Sequence, residues 1–235
     1  MNLILLFESD FIRPNIVRLT DRRLGHVINV LRPLHGDQLT VGLLNGPVGH
    51  GTVIDLTSEA LEMDVALDRQ APAPLPVTLI LALPRPKMLR RVLLAASSMG
   101  VKKIYLINAA RVEKSFWKSP LLSDERIKEY LLLGLEQACD TNMPEVFLRP
   151  LFKPFVEDEL SALAKNTLAL VAHPVAEKKC PWQVDRQITF AVGSEGGFIP
   201  YEIEKFVSLG FTPVSMGSRP LRVETVVPAM LARLF

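Results

Sequence analysis

The stretch ITFAVGSEGGFIPYEIEKF, residues 188–206, decides how the chain is read. An apolar strand-like run, Ile188 to Val192, stops at Gly193. Ser194, Glu195, Gly196 and Gly197 follow, and then a helix pattern with Pro200 near its first position and Gly210 just past its end. A glycine-rich turn between strand and helix lets backbone approach a ligand closely. The acid in its middle narrows the choice. A dinucleotide fingerprint needs glycine where Glu195 stands, and a P-loop needs Gly-Lys-Ser/Thr. A nucleophile elbow needs glycine two residues before Ser194, where Val192 is. A neutral or cationic ligand suits the loop. The plainer alternative is a tight turn in which Glu195 caps the next helix.

A second segment lies close behind. In SMGSRPLRVETVVPAM (215–230), Met216-Gly217 is expected to end a strand, and the loop after it carries Arg219, Arg222 and Glu224 into an apolar terminal helix. Glu224 near a helix N-terminus fits a capping role. Charge placed among apolar residues also fits a site, because buried charge is costly unless paired.

Upstream, strands and helices alternate. VTLILAL, KIYLIN, TLALVAH and ITFAV read as apolar strands. KMLRRVLLAASSMG reads as a helix with Gly100 past its end, and SDERIKEYLLLGLEQACD as a helix capped by Ser123. The alternation predicts an α/β domain over residues 77–235 with a mainly parallel sheet, whose ligands bind at the carboxyl ends of the strands. His173, Gly193 and Gly217 should meet there. Residues 71–76, within the proline-rich RQAPAPLP, read as a linker. Residues 1–70 read as a small β-barrel domain. DQLTVGLL and GHGTVIDL flank an Asn45-Gly46 hairpin turn, EALEMDVAL alternates as a strand, and one helix, DRRLGHVINVLR, is capped by Thr20 or Asp21.

The chain has 235 residues, 49% of them hydrophobic, enough for a substantial core. Net charge is only +2, so global charge names no partner. Local charge says more: nine Lys or Arg and one acid lie between Arg85 and Lys118, and five Arg and one acid between Arg13 and Arg32. Such clusters suit a polyanion or two solvated helix faces. Two distant cysteines exclude a disulfide framework, and their spacing with the four histidines argues against a metal site. No run matches a signal peptide or a membrane span, so a cytoplasmic protein with no membrane partner is expected.

GSEGGF followed by MGSRPLRVETVVPA resembles the GPEGG and LGxRxLRxETA signature of the bacterial 16S ribosomal RNA uridine-N3 methyltransferases, the RsmE-like branch of the SPOUT superfamily. LVAHP (170–174), EQACDTNMPEV (136–146) and HVINVLRPLHGD (26–37) resemble further family motifs in the same order. The resemblance implies a C-terminal SPOUT domain with a deep trefoil knot and an N-terminal PUA-like RNA-binding barrel. It implies a homodimer with each active site near the subunit interface, and S-adenosylmethionine as cofactor. The donor would be held by His173, Gly193, Ser194, Gly196, Gly197, Met216, Gly217, Leu221 and Arg222. The expected catalytic residues are Arg222, stabilising charge on a uracil oxygen, and Glu224 or Glu195, accepting the N3 proton; Glu224 serving only to orient Arg222 stays open. Arg13, Arg22, Arg23, Arg32 and Arg111 would hold phosphates of 16S ribosomal RNA in the small ribosomal subunit.

The chain departs from the family pattern at Ser194, Val223, Val226, Ala95, Ser98, Ala109, Ala110 and Asp140. The last five remove charge expected to face RNA. They leave two other readings open: a knotted RNA-binding or ribosome-assembly protein without catalysis, and a SPOUT methyltransferase acting on another RNA position or a ribose hydroxyl.

Overall fold

In the computed structural model, which describes residues 2–235, the opening run LILL packs on both sides. Leu3 and Leu5 point into one apolar cluster with Leu132 and Leu135, while Ile4 and Leu6 point into another with Val17, Val41 and Met63. The two-residue period of a strand separates them. The chain forms two compact units, residues 2–73 with 132–143, and residues 74–131 with 144–235.

The first unit holds β1 (Ile4–Leu6), β2 (Phe11–Arg13), β3 (Ile16–Leu19), helix α1 (Arg22–His26), β4 (Gln38–Leu43), β5 (Val48–Leu56) and β6 (Leu61–Arg69). They form one six-stranded sheet in the order β1-β4-β5-β6-β3-β2, antiparallel except for β1 against β4. Register shifts at Val48/Gly49 and Val53/Asp55 bend β5. The sheet curls around Leu6, Leu19, Leu24, Val27, Val53 and Leu61. The β4–β5 turn places Asn45 at φ 59°, the left-handed region that asparagine tolerates. It is tied to residues 141–143, with Asn45 N–H donating to Thr141 O at 2.8 Å and Met143 N–H to Asn45 Oδ1 at 2.8 Å.

Helix α1 begins as its sequence suggests, with Asp21 Oδ1 accepting from Arg23 N–H at 2.9 Å. Arg23 itself requires a correction. It was expected to hold RNA phosphate, yet it is 3% exposed. Its guanidinium grips both oxygens of Asp10 at 2.6 and 2.8 Å, Asp21 at 2.8 Å and the Leu5 carbonyl at 2.6 Å, and it lies over the Phe7 ring. A cation so enclosed serves the fold and cannot reach a polyanion. Arg23→Ala would leave Asp10 buried without its partner and is expected to destabilise the protein by about 3–5 kcal/mol in urea unfolding; a loss below about 1 kcal/mol, the scale of an exposed pair, would contradict this account. Burial alone would raise the Asp21 carboxyl, but hydrogen bonds and charge from Arg23, with the charge of Arg22, hold it below its ordinary 3.8. Its contribution is therefore complete above that value and is lost as pH falls through the lowered one.

The second unit holds β7 (Val77–Ala82), α2 (Pro86–Ser98), β8 (Lys103–Ile107), most of α3 (Asp124–Ala138), β9 (Glu145–Arg149), a helical stretch over 152–164, β10 (Leu168–Ala172), β11 (Ile188–Val192), α4 (Pro200–Ser208), β12 (Thr212–Val214) and α5 (Val223–Leu234). Its six strands are all parallel, in the order β12-β10-β11-β7-β8-β9. The central strands β7 and β11 are buried at every position, which explains their unbroken apolar runs. Helix α2 buries Leu89, Val92, Leu93 and Ala96, one helical stripe, and packs against α5. Gly100 and Gly210 end α2 and α4 at φ 85° and 88°, where a side chain would be strained. The ladder of β12 stops at Val214, two residues before its expected end, and Ser215 bridges to Lys179 instead.

Candidate active site

Segments leaving the carboxyl ends of β7, β10, β11 and β12 converge with the start of α5 around a cavity of about 690 Å³. Every residue expected to hold the donor lines it: His173, Gly193, Ser194, Gly196, Gly197, Met216, Gly217, Leu221 and Arg222. Glu195 and Glu224 line it too. Arg85, Met88 and Met230 also contribute, and sequence reasoning missed them. For Arg85 the signal was present in LPRPK, directly past β7 at the edge where such sheets bind ligands.

The glycines of the 193–197 loop answer to different constraints. A Cβ on Gly193 would lie 2.8 Å from Gly197 Cα and 3.0 Å from Phe198 N, so the loop's own backbone excludes it. Gly197 has φ +69°. A Cβ on Gly196 would meet the Arg111 side chain at 3.0 Å.

Glu195 does not cap the helix that follows it. Its carboxylate accepts from Arg85 N–H at 3.0 and 3.3 Å, across the strand ends at the start of α2. The cap of α4 belongs to Glu202, whose Oε2 accepts from Ile199 N–H at 2.9 Å. Glu195 is thus committed to holding two loops together. Glu224, in the first turn of α5, makes no hydrogen bond or ion pair among the described residues. Arg222 is the residue before that helix. Its carbonyl accepts from Thr225 and Val226 N–H at 2.9 and 2.8 Å, while its guanidinium is exposed and has no partner among the described residues. No ion pair joins Arg222 to Glu224 among the described residues.

The cavity's chemistry suits a methyl donor with a flat base, a carboxylate and a sulfonium. Met88, Val192, Val214, Leu221, Val226 and Met230 give apolar walls. Arg85, Arg219 and Arg222 offer cations, and Glu195 and Glu224 anions. Ser194 is 7% exposed, and its Oγ is buried with no hydrogen-bond partner. An orphaned hydroxyl in a cavity wall fits a site completed by a ligand.

The arginines expected to hold RNA are dispersed. Arg13 and Arg32 are exposed in the first unit. Arg22 spends its guanidinium on both oxygens of buried Glu136, at 3.0 and 2.6 Å. Arg111 donates to the Gly196 carbonyl behind the cavity wall. Asp140, a departure expected to strip charge from an RNA-facing side, is 2% exposed and accepts from Asn142 N–H at 2.9 Å. It is part of the interior. Neither Asp140 nor Ala95, Ser98, Ala109 or Ala110 lines the cavity; Ser194, Val223 and Val226 do. Cys180 is buried, which pushes its thiol up to about 11 despite the charge of Arg233, so it is not a ready nucleophile. No group of three or more potential metal ligands clusters among the described residues, and no helix among them is long and apolar enough to cross a membrane.

Comparison with known proteins agrees with this geometry. The RNA methyltransferase domain family matches residues 71–235. The chain is 30% identical to ribosomal RNA small subunit methyltransferase E of Treponema pallidum, over 99% of this chain and 90% of that one. It is 28% identical to the protein of the same name from Synechocystis, over 93% and 72% of the two chains. The crystal structure of ribosomal RNA small subunit methyltransferase E from Neisseria gonorrhoeae, bound to S-adenosyl methionine, superposes with a TM-score of 0.71 at 23% identity, covering 98% of this chain and 95% of that one. The shared architecture is a curled β-sheet followed by a parallel α/β domain, and the chain belongs to the ribosomal RNA small subunit methyltransferase E family.

Proposed function

We propose that the protein transfers a methyl group from S-adenosylmethionine to N3 of a uridine in 16S ribosomal RNA of the small ribosomal subunit. The observation that carries this reading is the cavity, which gathers every residue expected to hold the donor. Its support is the family, whose Neisseria member is bound to S-adenosyl methionine. When bound, the donor supplies an electrophilic methyl group.

The protein's own residues account for the rest. The backbone of the 193–197 loop and of residues 214–217 would hold the adenosine end of the donor, and the Ser194 hydroxyl would find a partner there. Most of the acceleration comes from holding the reactive atoms in line. Arg222 offers an uncommitted guanidinium to the uracil oxygen on which negative charge develops. Glu224 accepts the N3 proton, because Glu195 is engaged by Arg85 N–H. Phosphates are held by Arg13 and Arg32, which have exposed apolar neighbours in Ile12, Val30, Leu31 and Leu34. That mixture of cations and apolar surface suits single-stranded RNA on a PUA-like domain.

The trefoil knot and the homodimer belong to the same reading. Support for the knot is that β11 is inserted between β7 and β10, with α5 returning against α2. Support for the dimer is that Val175 and Trp182 are 79% and 61% exposed on the second unit. The working compartment is the cytoplasm, where the RNA is. The reading without catalysis is weakened, since none of Ala95, Ser98 and Asp140 lines the cavity. Calorimetry with S-adenosylmethionine is expected to show one donor bound per chain. Absence of heat at high micromolar donor would remove the methyltransferase reading and restore that alternative.

A further inference from the structure

The segment after β8 is tied to the helix that follows the glycine loop and to the loop itself. Ala110 N–H donates to Glu202 Oε1 at 2.7 Å, and Glu202 is 3% exposed, with its other oxygen fixed on Ile199 N–H. One residue on, Arg111 Nη1 donates to the carbonyl of Gly196. The Arg111 stem lies so close that a Cβ on Gly196 would sit 3.0 Å from both its Cβ and its Cδ. Gly196 lines the cavity and Arg111 does not, so the arginine grips the wall from outside.

A guanidinium has five N–H donors. The Gly196 carbonyl takes one of Arg111's, no carboxylate pairs with it among the described residues, and the side chain is exposed. The surrounding sequence, Arg85 to Lys118, carries nine cations to one acid. The remaining donors can therefore take an anionic ligand without releasing Gly196. Such a ligand would immobilise a side chain that is otherwise held at one end only. The ordering then needs to be done only once, whichever ligand arrives first, and that favours the second.

We propose that Arg111 is a positioning residue that couples the two substrates: an RNA phosphate held on its free N–H groups steadies the Gly196 wall and tightens donor binding. This rests on the reading of the cavity as the donor site of an RNA methyltransferase. Coupling between binding equilibria is reciprocal, so donor must tighten RNA binding by the same factor.

The test is equilibrium dialysis of radiolabelled S-adenosylhomocysteine, which cannot turn over, against the full chain with and without saturating unmodified 16S ribosomal RNA transcript. For the wild type, RNA is expected to lower the nucleoside Kd by about 10-fold, within the ordinary range of coupling between sites. In Arg111→Ala that ratio is expected to fall to about 1. Arg111→Lys keeps the charge but lacks a planar fork to span carbonyl and phosphate, so it should keep RNA affinity and still lose the coupling. A coupling ratio unchanged in Arg111→Ala, or absent from the wild type, would overturn the proposal. Failure of the wild type to bind either ligand at all would instead remove the functional reading beneath it.

Discussion

Arg222→Ala is expected to lower kcat by about 10²–10³-fold, the usual loss when one positioned donor to a developing oxyanion is removed. Donor affinity should change by less than about 3-fold, because that effect is confined to the transition state. The structure separates the two roles of this residue. Its backbone starts α5, with the carbonyl accepting from Thr225 and Val226 N–H, and alanine preserves both bonds. Its side chain is exposed, lines the cavity and has no partner among the described residues, so the fold should lose little with it. Single-turnover methylation measured beside donor titration checks the split. A rate within about 3-fold of wild type would remove Arg222 from the chemistry.

Gly193→Val acts on the other substrate. Its Cβ would meet Gly197 Cα at 2.8 Å and Phe198 N at 3.0 Å, and neither can swing aside as a side chain would. The loop must shift to admit it, and the cavity wall shifts too. Forcing an extra group into a close-packed wall costs about 1–3 kcal/mol, so donor affinity is expected to fall by about 10–100-fold. Gly193→Ala, with the same Cβ and nothing beyond it, should show most of the loss and keeps the comparison clear if the valine variant unfolds. Gly196→Ala is the control: its Cβ meets only the Arg111 side chain, so its effect should be smaller than that of Gly193→Ala. Undisturbed donor binding in folded Gly193→Ala would mean that the loop is a turn and not a binding wall.

What could be read from sequence and what could not divide along a physical line. Strand ends were legible, because apolar runs such as ITFAV and VTLILAL are buried at every position and stop where the sheet does. The ends of β7 and β11 lie at the cavity with those of β10 and β12, so much of its lining followed from local pattern and parallel topology. Partners far apart in sequence were not legible. Glu195 looked like a cap for the helix beside it, but its carboxylate binds Arg85 N–H, 110 positions away. Arg23 looked like one of a row of surface cations. Its burial depends on Asp10, which no helical pattern connects to it. Strand β9 and the helical stretch at 152–164 escaped because Pro144, Pro150 and Pro154 break the run into pieces too short to show a period. The association of residues 132–143 with the first unit depends on Leu132, Leu135 and Thr141 meeting the strands and turn there. No composition change marks that point in the middle of α3.

The separate jobs of Glu195 and Glu224 also narrow the chemistry. Of the two carboxylates at the cavity, one is tied to the start of α2 and the other has no partner among the described residues. Glu224 is accordingly the proton acceptor in the proposed reaction, two residues from the arginine that would stabilise the resulting charge.

The most direct measurement is nucleoside mass spectrometry of unmodified 16S ribosomal RNA, free and in small subunits, after incubation with the protein and S-adenosylmethionine. The expected product is N3-methyluridine at a single position, formed about 10²–10³-fold more slowly when Arg222→Ala replaces the wild type. A methyl group found on a ribose hydroxyl or another base, or no methylated nucleoside from a protein that binds the donor, would contradict the account.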